Sequence, residues 1–485
     1  MISKSDRRSI GLLSCVALTS GHIIGTGIFS SPTAIIRKTQ SIGMSLCIWL
    51  VAGLVSSTGA FTYSEIASTF DRSGGDPLYL NFIGWRALAF FFVITQIFII
   101  YPTIACLQAL AFAQYFAMAV GLRNTNFYVN FGIAAVMTIC LLVANIFLKS
   151  TSMMKLNIAM AGIKIGTLVF IVILSLIAGN TANLSDPFQN SVLDPDSIIE
   201  SFYNAFFAFE GYDISAVIVE EVVYPERNLP LAVSISLTIA VVLFAAVNVA
   251  FCLVLGKWQM MQMDAAMSLN RFAQLTLGPQ SLVIPLLISL NLINSLNMTI
   301  FGASRIVHAA ARANLLPGCL SGWNLKRQNP PVAYCLPVII IIVGLLLFDS
   351  SSLYSLNESS SIAQWLQHCT TAALVIYIRL SRISVKKTIY RSNFLCLCLY
   401  FCCLSTVLIS SIVDSWILML LTLGTFLVSS LFYWPFSSYY GLQRLDKYKR
   451  LHNKLGDITT QLMESLFRCE SEATNRVPKN KRQSS

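Results

Sequence analysis

Twelve apolar runs, each about 20 residues or more, dominate this chain, and that is the length a helix needs to cross a bilayer. They fall at about 10–36, 43–69, 84–118, 128–148, 153–178, 198–222, 230–256, 281–311, 332–348, 361–380, 393–413 and 415–435. No soluble domain of useful size fits between them. With 55% hydrophobic and 11% charged residues and a mean hydropathy of +0.69, the sequence predicts an all-α, polytopic membrane protein with twelve transmembrane helices.

The net charge of +11 would suggest nucleic acid in a soluble protein, so its distribution decides what it means. With the N-terminus inside, the loops and helix ends on that side hold 17 Lys and Arg and the tail after Tyr440 holds 10, against 5 on the other side. This asymmetry predicts both termini in the cytoplasm and no nucleic-acid role. The first run is too long for a cleaved signal peptide and is expected to act as a signal anchor. Two sequons, at Asn183 and Asn357, fall in loops predicted to lie outside, where they are candidate glycosylation sites. The thirteen cysteines show no metal spacing and none lies in a predicted outer loop. No disulfide framework, metal site or cofactor is expected, and Cys396, Cys398, Cys402 and Cys403 read as apolar helix filling.

Within the first run stands GHIIGTGIF, residues 21–29, with three glycines where a helix wants none. Glycine costs a helix interior roughly 1 kcal/mol relative to alanine, and bare backbone at membrane depth is tolerated only in a protein interior or against a cavity. The sixth run is also interrupted, at FFAFEGYD, residues 206–213. Two broken helices in corresponding positions point to a transport site. In the fifth run, Lys164 sits at membrane depth, which is expensive unless a partner or a polar cavity receives it. Span two carries Gly53, Ser56, Ser57, Gly59 and Ala60, suited to close helix packing.

GHIIGTGIFSSP, followed by YSEIAS and RSGGDPLYL, resembles the L-type amino acid transporters of the amino acid/polyamine/organocation superfamily. EEVVYPERNLPLAV at 220–233 and ASRIVHAAARANLLP at 303–317 agree, and the likeness covers about residues 8–345. The resemblance implies a LeuT-like fold, a 5+5 inverted repeat plus two accessory helices. The domains are then a tail 1–9, a transport core 10–380 in repeats of about 10–178 and 198–380, accessory helices 393–435, and a basic tail 436–485. In sodium-independent members of the superfamily a lysine at the place of Lys164 resembles a built-in substitute for the coupling cation. The other reading of Lys164 is a structural hydrogen-bonding post.

An α-amino acid carries a carboxylate and an ammonium, and half-helix ends match both. Gly25, Thr26 and Gly27 are expected to offer N–H groups to the carboxylate, while Ile23 and Phe207 offer carbonyls to the ammonium, with Phe207 as an aromatic gate. The resemblance implies the same assignment. Glu210 replaces the glycine of the large-neutral transporters, and Asp213 stands where neutral-substrate members tend to have asparagine. A carboxylate facing the cavity favours cationic substrates; alternatively, Glu210 or Asp213 binds a coupling proton, or Glu210 bonds to freed backbone. Asp213 would lie on nearly the same face if the helix were regular there. His22 adjoins the first break and is a candidate pH-sensitive group. Asn248, Asn291, Asn294 and Asn297 either face the cavity or join helices.

Relatives that travel with a disulfide-linked glycoprotein heavy chain use a cysteine in the outer loop between spans three and four. That loop, about 119–130, has none here, so a covalent heavy chain by that route is excluded and only a non-covalent partner is open. In the tail, Leu445, Tyr448, Leu451, Leu455, Ile458, Leu462 and Leu466 recur at helical spacing, which suits the inner leaflet of the bilayer or a solvated helix. Residues 475–485 read as disordered. The function expected is sodium-independent L-amino acid transport at the plasma membrane, by exchange as the resemblance implies, with neutral and cationic substrates. A proton symporter of the same fold and a non-transporting amino acid sensor are the alternatives. A channel lacks pore loops, and an enzyme lacks a nucleophile arrangement.

Overall fold

The computed structural model of the chain describes residues 8–70, 72–122, 126–348, 350–381, 391–414, 420, 423–429, 431, 457–461, 463, 465–467 and 469–471. The first apolar run breaks where its glycines fall. Helix α1 (Leu12–Ile23) stops, residues 24–26 are non-helical, and α2 (Gly27–Thr39) resumes with the two halves bent by 41°. Helix α3 (Ile42–Phe70) follows, then a Gly-Gly turn and the short α4 (Asp76–Ile83). The third run is α5 (Arg86–Thr95) and α6 (Tyr101–Ala119), joined through a π turn at Gln96–Ile100. Pro102 stands two residues past that turn and has no N–H to give to a regular ladder.

Helices α7 (Phe127–Phe147) and α8 (Ser150–Ala178) come next. Helix α9 (Pro195–Ala208) opens with proline in its first turn and with the Asp194 carboxylate accepting from Ser197 N–H at 3.3 Å, two matched start signals. It ends at the second break, and α10 (Ile214–Ile218) continues beyond it. The remainder is α11 (Pro225–Gln262), kinked at Gly256, then α12 (Ala265–Leu277), α13 (Val283–Arg312), α14 (Pro331–Leu347), α15 (Ser350–Leu380) and α16 (Phe394–Asp414). Two short strands, β1 (Gly322–Trp323) and β2 (Glu470–Ser471), pair antiparallel.

Among the described residues seven helices are long and apolar enough to cross a membrane, or eight when the bent α1–α2 pair counts as one span. The chain is therefore a multi-pass membrane protein. Helices α4 and α12 were not anticipated, because both are short and of mixed polarity. Helix α15 begins at Ser350 rather than near 361, so Asn357 lies within a helix and not in a loop. Asn183 also departs from expectation: its amide nitrogen, the atom a glycan would occupy, donates to Leu253 O at 2.9 Å in a half-buried setting. The twelfth run and the tail periodicity fall mostly outside the described residues. Of the tail, Ile458 and Leu466 are exposed and the stretch 470–471 adds a strand to the loop after α13.

Helix α13 packs along α6, α11 against α1 and α3, and α2 against α9. The small residues of α3 serve close approach, as expected. A Cβ on Gly53 would lie 2.6 Å from Val241 Cγ2, and one on Gly59 would lie 2.5 Å from the Tyr400 ring. One end of the bundle is tied by three ion pairs: Arg305 with Glu221 (3.1 Å), Arg312 with Glu220 (2.6 Å), and Arg379 with Glu65 (2.5 Å). Residues 9 and 10 also reach this end, where Ser9 N–H and Ile10 N–H both donate to Glu221 O at 2.9 Å. The Glu65–Arg379 pair, less than a tenth exposed on each side, joins α3 to α15 and also takes in Ser392.

Removing one partner of a buried pair strands the other charge, at about 3–5 kcal/mol. Arg379→Leu is therefore expected to lower the thermal midpoint of purified protein in detergent markedly, and Glu65→Leu/Arg379→Leu to recover part of the loss. A double variant no more stable than the single one would contradict the pairing.

Candidate substrate site

Both breaks open onto one cavity, with about 80 Å³ of space for water, lined from five parts of the chain. Span one gives His22, Ile23, Gly25, Thr26 and Gly27; the second break gives Phe207, Ala208, Glu210, Gly211 and Asp213. The π turn and α6 add Gln96, Tyr101 and Gln108, α13 adds Thr299, and α15 adds Gln364, Gln367 and His368. The structure thus brings every expected substrate residue to one wall system. Lys164 and the two sequon asparagines do not line it.

The halves are held together by glycine. A Cβ on Gly27 would lie 2.6 Å from Ala208 Cα, so the start of α2 rests directly on the end of α9. Gly211 has φ +110°, and a Cβ there would lie 2.4 Å from His22 Nδ1 and 2.9 Å from the His22 carbonyl carbon. Only a residue without a side chain tolerates both that backbone and that neighbour. Gly25 is different, its nearest neighbour for a Cβ being His22 O at 3.9 Å.

The donor assignment changes in one respect. Gly25 N–H bonds to Ile23 O at 2.9 Å, closing a tight turn, so this donor and one lone pair of the Ile23 carbonyl are already engaged. Among the described residues the amides of Thr26 and Gly27 have no backbone acceptor, as befits the first turn of a helix. These two amides and the Thr26 hydroxyl remain for a ligand anion. Phe207 O receives a long bond from Glu210 N–H, at 3.3 Å.

Glu210 and Asp213 are not neighbours on a helix, as a regular sixth span would make them. Residues 209–213 are unwound, and it is this backbone that carries both carboxylates to the cavity wall, within electrostatic reach of each other. No Lys or Arg is among the lining residues, so the wall is acidic, with Gln364 facing the Glu210 carboxylate.

Lys164 is fully buried behind span one. Its ammonium donates to Gly21 O (2.6 Å), Ile24 O (2.6 Å) and Ser295 Oγ (2.8 Å). Three oxygens meet the three N–H bonds of the group, and two of them are carbonyls at the break. Asn297 joins helices, accepting from Asn145 at 2.6 Å and donating to Asn157 at 2.9 Å. Asn291 and Asn294 flank the same region of α13, and a Cβ on Gly21 would lie 3.2 Å from the Asn294 amide nitrogen.

The glutamines and His368 escaped the sequence reading. Helix α15 opens with a polar half that blurs its span, and the signal available was QWLQH, three polar side chains within five residues of an otherwise apolar run.

A many-helix apolar bundle whose two interrupted helices face one polar cavity defines a membrane transport protein. The chain belongs to the amino acid permease family, whose profile matches residues 10–438. This places it among transporters, not enzymes. It is 30% identical over 387 residues to amino acid transporter protein 6 of Caenorhabditis elegans, covering 78% of this chain and 73% of that one. Similarity extends to the b(0,+)-type amino acid transporter 1 of Rattus norvegicus, at 28% over 388 residues and 79% of each chain. The human cystine/glutamate transporter is 29% identical over 380 residues, 77% of this chain and 74% of its own.

Because Gly27 and Gly211 sit in contact and Gly25 does not, alanine should separate them. Gly27→Ala and Gly211→Ala are each expected to cost about 1–3 kcal/mol and to lower the thermal midpoint of the purified protein, while Gly25→Ala stays near the parent. Equal midpoints for all three variants would contradict this packing.

Proposed function

We propose that this chain is a sodium-independent L-amino acid exchanger, alternating access about the cavity between the two breaks. The observation that carries this reading is the Lys164 ammonium bound by Gly21 O, Ile24 O and Ser295 Oγ. A fixed cation held by carbonyls of a broken helix supplies the charge that a coupling sodium would otherwise bring. The α-carboxylate of the substrate sits at the amides of Thr26 and Gly27, and its ammonium faces the carbonyls of Ile23 and Phe207.

Glu210 and Asp213 select the side chain. In an acidic wall with no basic residue, a lysine, arginine or ornithine side chain pairs with Glu210, and neutral side chains enter at lower affinity. Relatives that bear transport names of different substrate range support amino acid transport in general and leave this selectivity to the chain's own residues. His22, packed against Gly211, is the candidate pH-sensitive group of the site. The inverted 5+5 arrangement with twelve spans, both termini in the cytoplasm and residence in the plasma membrane complete the reading. With no cysteine in the loop about 119–130, the chain works without a disulfide-linked heavy chain.

Uptake of labelled arginine and leucine by cells expressing this chain alone, in sodium-free medium, tests the assignment. Arginine is expected to enter, and Glu210→Gly to shift preference toward leucine by about tenfold or more, the scale of one charge-assisted bond. Unchanged preference in Glu210→Gly would move selectivity elsewhere.

A further inference from the structure

Beside the cavity lies a buried chain of titratable groups that substrate recognition does not use. Tyr63 of α3 donates its phenol proton to Asp76 Oδ2 at 2.9 Å, and the same oxygen accepts from Gln367 Nε2. Tyr63 Oη also lies 2.5 Å from His368 Nδ1. A phenol has one proton. With that proton given to Asp76, His368 must be the donor to Tyr63, so its Nδ1 carries hydrogen and its Nε2 is an acceptor. His368 borders the cavity, whereas Tyr63 and Asp76 do not. Each of the three is no more than 2% exposed.

Asp76 opens α4, and its buried Oδ1 accepts no hydrogen bond within 3.5 Å among the described residues, the Thr371 hydroxyl being a near neighbour of the carboxylate. No Lys or Arg bonds to it there. A bare buried carboxylate oxygen is costly, and a proton on the group removes that cost. Besides the Thr371 hydroxyl, the titratable groups facing it are acids and phenols. Asp213 comes from the second break, Tyr101 from α6, Tyr79 from α4 itself and Tyr400 from α16. On the packed helices, Arg305 and Arg312 of α13 and Arg379 of α15 are committed to Glu221, Glu220 and Glu65. The other basic groups of α13 and α15 are His308, set against Trp323 with ring centroids 5.3 Å apart, and His368 itself; on α5, Arg86 is exposed.

We propose that His368, Tyr63 and Asp76 form a relay that takes up one proton from the central cavity and returns it on the other side, coupling amino acid movement to protons. Loading moves a proton from cavity water to His368 Nε2, the Nδ1 proton to Tyr63 Oη, and the phenol proton to Asp76. The carboxylate becomes a carboxylic acid, and His368 ends neutral with its proton on Nε2. Unloading runs the same transfers in reverse. Chains of this kind are how membrane transporters carry protons. The inference rests on the transport reading above, and in an exchanger the proton travels with a neutral amino acid and not with a cationic one, so that exchange of one for the other moves a net proton.

Purified protein in liposomes enclosing pyranine and unlabelled arginine tests it, with labelled leucine added outside. Uptake by the parent is expected to change luminal pH, and an acid-outside gradient to speed uptake at least severalfold. Tyr63→Phe and Asp76→Asn are expected to keep counterflow at equal pH while losing the luminal pH change and the gradient response. Parent uptake with no pH change overturns the relay alone, and no parent uptake overturns the transport reading and the relay with it. A pH change that survives in both Tyr63→Phe and Asp76→Asn, or that is lost only in Glu210→Gln or Asp213→Asn, also overturns it.

Discussion

An ammonium group inside an apolar bundle must be met by acceptors, and Lys164 is met by three. Two are carbonyls that a continuous helix would not have free in that direction, so the break in span one and the buried lysine are one feature. Each makes the other tolerable. The break exposes Gly21 O and Ile24 O, the lysine satisfies them, and Ser295 ties the assembly to α13. Everything at the cavity follows from the direction in which that break turns the chain.

The break also sets what can approach it. The start of α2 lands on Ala208 at the end of α9, and the second break, through Gly211, lands on His22. Two unwound segments in mutual contact leave their unpaired amides and carbonyls facing a shared space, which is the chemistry an amino acid's two charged ends need. The acidic side chains arrive there on unwound backbone rather than on a helix face. In the proposed reading, selectivity is therefore a property of the break and not of a helical stripe.

Much of this was legible in the sequence. The glycines of GHIIGTG and FEGYD marked both breaks because helical backbone at membrane depth has few other reasons to be so interrupted. Lys164 announced itself by its cost, and the residues expected to meet substrate do share one cavity. What the sequence hid were features made by distance. The partners of Lys164 are backbone atoms, which no side-chain pattern marks, and Gly25 N–H is consumed by a local turn. The placement of α15 against α3 and α6, which goes with Gln364, Gln367 and His368 lining the site, is a matter of tertiary packing. The start of that helix was misplaced because its first half is polar, and the loop placement of Asn357 was misread with it.

The central claim is that Lys164 stands in for a coupling cation. Uptake of labelled amino acid should be measured for the parent and for Lys164→Ala in liposomes, with sodium and with choline in its place. The account predicts equal uptake by the parent in both media and loss of sodium-free uptake in Lys164→Ala. A parent that requires sodium, or a Lys164→Ala protein that transports as well as the parent in choline, would contradict it.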